Sequence, residues 1–336
     1  MQSEHFLNRP TASSSMNKPP LVSIIMPAWN NERLLPVTLR SVQEQTLGEW
    51  ECIIVDDGST DGTLEVAREW ARGDGRFKAL TQRNARQCVA RNHGYGMSDP
   101  GSSYVTFMDS DDVYLPGALQ ALVSAAEAAP GMAGAHGLAE FIDADGERYL
   151  PGEFSGRGRK RVGMGEDGRL REWGLAEPTC FRTLLLQNVT YPPGLVLTRR
   201  GYYEKAGLFD PAMSPVEDWD MLVRLSRHGD FHFLNEVVVL YRNFSGNTSM
   251  QNIDFAMQQV RALHAKTFLS PENTREQAAI AKQVWRELNL MRLRGKLQTV
   301  RESLAKGRLD RACFVLGKTS VEIHRMIRGY PTADGL

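Results

Sequence analysis

Little in this chain supports covalent or metal cross-linking. Its four cysteines, Cys52, Cys88, Cys180 and Cys313, are scattered, and none forms a CxxC pair. That spacing excludes a zinc ribbon or a disulfide framework and suits a reducing cytosol. Cys52 lies in an apolar run and reads as a small core residue. His228 and His232 are four apart, but Gly229 and Asp230 between them break any helix that would pair them on a metal. No run approaches the ~18 apolar residues of a transmembrane helix. Residues 1–20 lack the apolar core of a signal peptide; rich in Ser, Pro and Asn, they are expected to be a disordered extension, with Met16 as an alternative start. Formal net charge is zero, so no global field favours nucleic acid.

What is present is an alternation of strand and helix signals. At 336 residues the chain exceeds a typical single core, so one large α/β unit with an appendage is expected. Apolar runs at 21–26, 51–55, 77–80 and 104–108 read as strands. Amphipathic stretches at about 33–45, 63–71 and 89–97 read as the helices between them. This order predicts a parallel, Rossmann-like sheet with right-handed crossovers. Pro27-Ala-Trp-Asn30 fills the first turn where a dinucleotide fold would carry GxGxxG, so a dinucleotide site is disfavoured.

Beyond Pro116 the pattern gives a helix to about Ala129 and strands near 134–141, 194–198 and 237–241. A short helix ends near Gly207, and another opens at Glu217. Residues 152–172, rich in Gly and Arg, read as a mobile lid or linker. Within them Arg157, Arg159, Lys160 and Arg161 are candidates for phosphate contact, although no Walker ending is present. From 251 to about 328 the chain reads as helical, broken at Gly295, Gly307 and Gly317.

The chemistry concentrates at strand ends. Asp109-Ser110-Asp111-Asp112 follows the buried run 104–108 directly, and open α/β sheets bind ligands at that end. Crowded carboxylates repel, and Mg2+ or Mn2+ relieves them while also contacting substrate phosphates. Asp56-Asp57-Gly58 ends the second strand, and Glu217-Asp218-Trp219-Asp220 opens a helix farther on. Alone, each acidic turn is equally readable as a solvated surface.

Six segments in order carry a more specific signal: VSIIMPAWNNERLL, IIVDDGSTDGT, the ARN at Ala90–Asn92, DSDD, GLFDP at Gly207–Pro211 and EDWD. Together, over roughly residues 21–250, they resemble the inverting GT-A glycosyltransferases of family 2. The resemblance implies a Rossmann-like, mostly parallel sheet flanked by helices. It divides the chain into a nucleotide-binding half at 21–115, an acceptor-binding half at 116–250 and a helical extension at 251–336.

It also implies roles. Pro27, Ala28, Trp29, Asn30 and Glu32 would line the donor, with Trp29 stacked on the nucleobase. Asp57 would accept from a pyrimidine N–H, and Asp56 would be the N-terminal cap of the helix that follows. Asp111 would ligate Mn2+ or Mg2+, with Asp109 on the ribose or the metal and Ser110 beside it. Asp112 would cap the next helix. Arg91 would clamp phosphate, and Arg86 joins it because Asn84-Ala-Arg-Gln87 replaces a tighter turn. Asp218 would be the general base. Each residue has a plainer reading: Trp29 a core aromatic, Arg91 a surface arginine, Asp218 a capping acid.

The implied partners are a nucleotide-sugar donor, with UDP expected, and a glycan or lipid-linked acceptor, met in the cytoplasm. A sugar-1-phosphate nucleotidyltransferase lacks support because no basic Gly-rich loop follows the first strand. A non-catalytic nucleotide-sugar-binding module fits poorly with Asp109, Asp111 and Asp218 all retained. The extension holds 15 Lys/Arg against 8 Asp/Glu, a net +7 that leaves −7 elsewhere. Arg292, Arg294, Lys296, Arg301, Lys306, Arg308 and Arg311 cluster there. Either they form a solvated face, or they meet an anionic membrane surface; the apolar positions would pack on the body or on a second copy.

Overall fold

A computed structural model describes residues 18–149, 160–243 and 253–310, together with 313 and 315. The first half alternates as expected: β1 (Val22–Ala28), α1 (Leu35–Gln43), β2 (Trp50–Asp56), α2 (Thr63–Gly73), β3 (Phe77–Thr81), α3 (Arg86–Met97) and β4 (Tyr104–Phe107). β1, β2 and β4 are buried along their whole length, which is why they read as unbroken apolar runs. Helix α1 begins two residues later than its apolar pattern, with Pro at its first turn, where a missing N–H does no harm.

The second half is less regular. It contains β5 (Val113–Tyr114), α4 (Ala118–Ala128), β6 (Gly134–Ile142), β7 (Arg148–Tyr149), β8 (Arg161–Met164), β9 (Leu170–Trp173), α5 (Phe181–Leu184), β10 (Val196–Arg199), α6 (Gly201–Ala206), α7 (Glu217–Ser226) and β11 (Phe231–Arg242). Among the described residues one nine-stranded sheet runs β3-β2-β1-β4-β10-β6-β11-β5, with β7 paired to β6. The nucleotide and acceptor halves expected from the sequence therefore share a single sheet. β10 lies antiparallel to both β4 and β6, and β11 is parallel to β6. With β10 reversed between them, β4 and β6 run the same way, so β1, β2, β4, β6 and β11 all end at the same edge, while β5 and β7 run antiparallel to β11 and β6.

Two expectations need correction. The described part of the supposed lid is a hairpin, in which β8 pairs with β9 across a turn closed by Gly165 N–H to Arg169 O at 2.8 Å. Its strands are four residues each, too short to show alternation against a Gly-rich background. Arg161 is fully buried there, bonded to Glu177 O and Thr179 Oγ1 and stacked on Phe233. It is a packing residue and offers nothing to a phosphate. Lys160 is exposed, and Arg157 and Arg159 lie outside the described residues.

The second correction concerns the extension, where α8 (Ile253–Leu269) is followed by α9 (Arg275–Ala305). The latter runs straight through Gly295 for 31 residues. A reciprocal Thr274–Gln277 cap starts it, and one internal Gly costs only about 1 kcal/mol. Gly307 does follow its end with φ +68, whereas Gly317 and Arg311 lie outside the described residues, as do Met16 and most of the expected N-terminal extension.

The extension is tied to the body beside α7. Lys266 bridges Asp210 at 2.8 Å and the buried Asp220 at 2.9 Å. His264 packs edge-on against Trp219, with ring centroids 5.5 Å apart. Ile280 and Val284 of α9 join the main core.

The tightest packing lies where the reversed strand enters. A Cβ on Gly134 would sit 1.9 Å from Leu197 O, so only glycine lets β6 approach β10. Gly134→Ala should destabilise the protein by ~3 kcal/mol, as an overpacked core position does. Thermal unfolding would register this as a clear drop in Tm.

Candidate active site

The shared edge collects the acids. β1 ends in a loop that is laced to the turn after β2. Asn30 N donates to Ser59 Oγ at 2.9 Å, and Asn30 Oδ1 accepts from Thr60 N at 2.8 Å. Glu32 Oε2 accepts from Gly62 N at 2.6 Å. The Asn30 and Glu32 side chains are thus occupied in shaping the loop. Pro27 and Ala28 lie buried within β1, and Ala28 O accepts from Asp57 N at 2.8 Å. Trp29, next in the chain, is 57% exposed; its plainer reading as a core residue is removed, and a flat apolar face stands open at the edge.

Asp56 and Asp57 divide their work. Asp56 accepts from Ser59 N at 3.2 Å and from Thr81 Oγ1 at 2.8 Å, closing the turn. Helix α2 starts from Gly62, so the helix-cap role expected of Asp56 is not the one it takes; its side chain is spent on the turn before the helix. Asp57 is only 2% exposed, and its Oδ1 accepts from Gln82 Nε2 at 2.8 Å and from Ala85 N at 2.9 Å. Its Oδ2 has no hydrogen bond among the described residues. Gly58, at φ +69, lets this turn approach the next loop, where a Cβ would lie 2.7 Å from Asn84 N.

That neighbouring loop leads into α3, whose first residue is Arg86. The residue is exposed, makes no ion pair among the described residues, and has φ +68. A left-handed backbone costs an arginine roughly 1–2 kcal/mol. Arg91, five residues farther along α3, behaves quite differently. It is 2% exposed, with Nη2 2.7 Å from Asp109 Oδ1 and Nη1 3.1 Å from Glu217 Oε1. Both terminal nitrogens are engaged by carboxylates, so Arg91 positions acids and does not stand open as a phosphate clamp.

The Asp109–Asp112 turn is held through its backbone. Asn31 Nδ2 donates to Ser110 O at 2.8 Å and to Ser110 Oγ at 2.9 Å. Thr38 Oγ1 donates to Ser110 O and to Asp112 O. Arg242 Nε donates to Asp111 O at 2.9 Å, and Arg242 N donates to Asp112 Oδ1 at 2.9 Å. Asp112 therefore anchors β11; the expected role as a helix cap falls to Gly117.

These anchors leave the Asp109 and Asp111 side chains to share the edge. Burial, and then the Asp109 charge, push the Asp111 carboxyl up to about 7. Asp112 is raised as well, first by burial and then by its two acidic neighbours, and its buried Oδ2 has no hydrogen-bond partner. That excess of negative charge suits a divalent cation. Among the described residues no three His, Cys, Asp or Glu side chains converge as a cage. Two carboxylates, with the remaining oxygens drawn from phosphate and water, fit Mg2+ or Mn2+ rather than a closed all-protein site.

Asp218 stands across the edge at the start of α7. Its Oδ1 accepts from Trp219 N at 2.7 Å. Burial, followed by the adjacent Glu217 charge, raises it to about 6. It lines a small cavity of about 20 Å³ with Phe107, Pro193, Val196, Tyr203, Phe209, Met221 and Leu222. Glu217, 1% exposed, also accepts from Gln87 Nε2, so it ties the Asp218 turn to α3.

Sequence reasoning gave no role to Glu217, Gln87, Asn31 or Arg242. Glu217 had a usable signal, being a second acid beside the candidate base. Arg242 had none, because its partners lie some 130 residues away. The larger opening, about 300 Å³, is lined by Asn30, Asn31, Glu32, Arg33, Leu34, Asp61 and Ala144, beside the loop that bears Trp29.

Comparison with known proteins bears on the family and the fold. The family model described as glycosyl transferase family 2 matches residues 23–207. A GalNAc(5)-diNAcBac-PP-undecaprenol beta-1,3-glucosyltransferase of Campylobacter jejuni is 34% identical over 142 residues, 42% of this chain and 44% of that protein. A chondroitin synthase of Pasteurella multocida is 26% identical over 73% of this chain and 23% of its own length. The matched regions span less than half the length of these relatives. Among solved structures, S. aureus TarS 1-349 in complex with UDP-GlcNAc superposes with a TM-score of 0.57 at 16% identity, covering 80% of this chain and 71% of that one. Mannosyltransferase PcManGT from Pyrobaculum calidifontis, in complex with GDP-Man and Mn2+, gives 0.56 at 18% identity, covering 93% and 83%. With more than half its length matched by one family model, and a GT-A fold shared with these structures, the chain belongs to glycosyl transferase family 2.

Proposed function

We propose that this chain transfers a sugar from a nucleoside diphosphate sugar, with UDP as the expected nucleotide, to a hydroxyl of a glycan or lipid-linked acceptor, with inversion at the anomeric carbon. The observation that carries the reading is the placement of Asp109 and Asp111 at the end of β4 with Asp218 across the same edge, joined through buried Arg91 and Glu217. Trp29 and Asp57 supply a stacking face and an acceptor for a pyrimidine N–H. A divalent cation held by Asp111 and Asp109 would offset the negative charge on the departing diphosphate, and one solved neighbour was crystallised with Mn2+. Exposed Arg86 is suited to the same phosphates.

Asp218 takes the acceptor proton. The hydroxyl becomes acidic as its oxygen bonds to the anomeric carbon, so a carboxylate raised modestly by burial is an adequate base. One displacement by the acceptor inverts the centre, and no enzyme nucleophile takes part. Asp218 must be ionised to act. Activity should therefore be low below its raised pKa of about 6, climb through it and level off above.

The basic helices suggest where the reaction takes place. On α9, Arg294, Leu297, Arg301 and Leu304 are exposed and recur at helical spacing, which makes a stripe of alternating charge and apolar bulk. No described helix is long and apolar enough to cross a membrane. We read the stripe as a peripheral contact with an anionic cytoplasmic leaflet, where each basic side chain is worth about 1 kcal/mol.

Three measurements test these readings. Asp111→Ala should abolish transfer and Mn2+-dependent stabilisation by UDP while leaving the unfolding transition cooperative; transfer that survives a chelator unchanged contradicts the metal role. Asp218→Asn should lower turnover by ~10²–10⁴-fold and remove the rise through pH 6, with donor affinity preserved; an equal loss of donor binding would move Asp218 to the donor side. Vesicle flotation should need anionic lipid, weaken with salt and fail in an Arg294→Gln/Arg301→Gln variant. Flotation independent of lipid charge, or none at all, would leave the stripe to packing or to self-association.

A further inference from the structure

Three acids crowd the first turn of α7, Glu217, Asp218 and Asp220, and like charges this close repel. Two of them are neutralised from outside the turn. Arg91 of α3 meets Glu217 at 3.1 Å. Asp220, 2% exposed, has Arg224 Nε 2.9 Å from Oδ2 and Lys266 Nζ 2.9 Å from Oδ1. Asp218 alone of the three makes no ion pair among the described residues. Lys266 belongs to α8, so the C-terminal extension helps to decide which acid of the turn stays unneutralised.

The Asp218 carboxylate takes its direction from its own backbone. Oδ1 accepts from Trp219 N at 2.7 Å, an early amide of α7 that lacks an intrahelical acceptor. Asp220 N, the next amide, already bonds Val216 O at 2.9 Å. Whatever fixes the backbone of residues 217–220 therefore aims the proposed base.

The extension fixes it at two points. Trp219 Nε1 donates to Leu184 O at 2.5 Å. His264 of α8 stands perpendicular to the indole, and its Nε2 lies 2.8 Å from Leu185 O. Indole and imidazole thus meet successive carbonyls at the C-terminal end of α5, where a helix leaves such groups without partners. Lys266 makes the second point. Besides Asp220 it reaches Asp210 at 2.8 Å, directly after Phe209, which lines the same small cavity as Asp218. Arg224 holds that loop through Ala206 O and Leu208 O, and the Asn92 amide brackets Phe209 O and N at 2.9 and 3.0 Å. One ammonium thereby joins the helix that bears Asp218 to a wall of its cavity.

We infer that Lys266 and His264 are positioning residues for Asp218, which makes the C-terminal helical extension a working part of the site. The inference rests on the reading of Asp218 as the base on the acceptor side.

The test uses the full chain with UDP-GlcNAc and Mn2+. Amide hydrogen exchange at single-residue resolution needs no turnover. Lys266→Gln and His264→Ala should each speed exchange at Trp219 N by about tenfold or more, while amides of β1 and β4 keep their wild-type rates. Lys266 is 35% exposed, so its replacement leaves the core closed even if His264→Ala folds poorly. UDP release is measured with water standing in for the acceptor hydroxyl and giving its proton to Asp218. Turnover should fall by ~10–10²-fold, the scale of a displaced catalytic group, with donor KM within about twofold of wild type. In an Asp218→Asn background the same replacements should cost nothing further, because residues that act as a unit do not add. Lys266→Arg should restore exchange and turnover. Glu276→Gln, which breaks an exposed pair between the same extension and Arg182, should change neither.

Wild-type exchange at Trp219 in both variants would overturn the inference. So would losses that add to Asp218→Asn, a matching rise in donor KM, equal loss in Lys266→Arg, or the same effect from Glu276→Gln. A wild type that releases no UDP would count against the transfer reading, whereas Trp219 exchange decides the positioning by itself.

Discussion

Arg91 is the constraint around which the site is arranged. Its guanidinium is almost wholly buried and reaches Asp109 on one side and Glu217 on the other. It fixes the separation between the end of β4 and the start of α7. Losing one partner of such an arrangement typically costs 3–5 kcal/mol, because a charge is then left buried and unpaired. The network is nevertheless not built for greatest stability. Arg91 Nε and Glu217 Oε2 are buried without hydrogen-bond partners, and well-packed apolar residues would avoid both defects. What the ion pairs supply is position: the acids after β4 and the proposed base share one rigid connector, drawn from α3, to which neither belongs.

The same connector explains which parts of the site were legible in the sequence. β1, β2 and β4 are buried on both faces, so their apolar runs and the acids at their ends are visible in the linear order. Trp29, Asp57, Asp109 and Asp111 emerge from those ends, and a strand end fixes where a side chain begins. Arg91 was visible as a residue but not in its role, because an amphipathic helix pattern does not say which acids will approach it. Glu217 and Arg242 act through partners more than a hundred residues away. Contacts of that kind leave no periodicity in the chain.

The less legible regions have physical reasons of their own. The β8–β9 hairpin uses four-residue strands, and Arg161 within it is stabilised by carbonyls and an aromatic face instead of by a carboxylate. Composition alone therefore mistook a buried packing residue for a surface cation. α9 persists through Gly295 because its neighbours are good helix formers and its start is firmly capped. A glycine in a long capped helix weakens it without ending it.

Arg86 carries one further consequence. Its backbone lies in the left-handed region, which a glycine would occupy without penalty. No contact among the described residues repays that strain in the folded chain. Every unliganded molecule is therefore held slightly above the energy its topology would allow, and selection for folding alone would favour glycine at this position. Arg86 is thus a position where the chain departs from what folding alone would choose, a local cost carried by an exposed cation that the described residues leave unpaired.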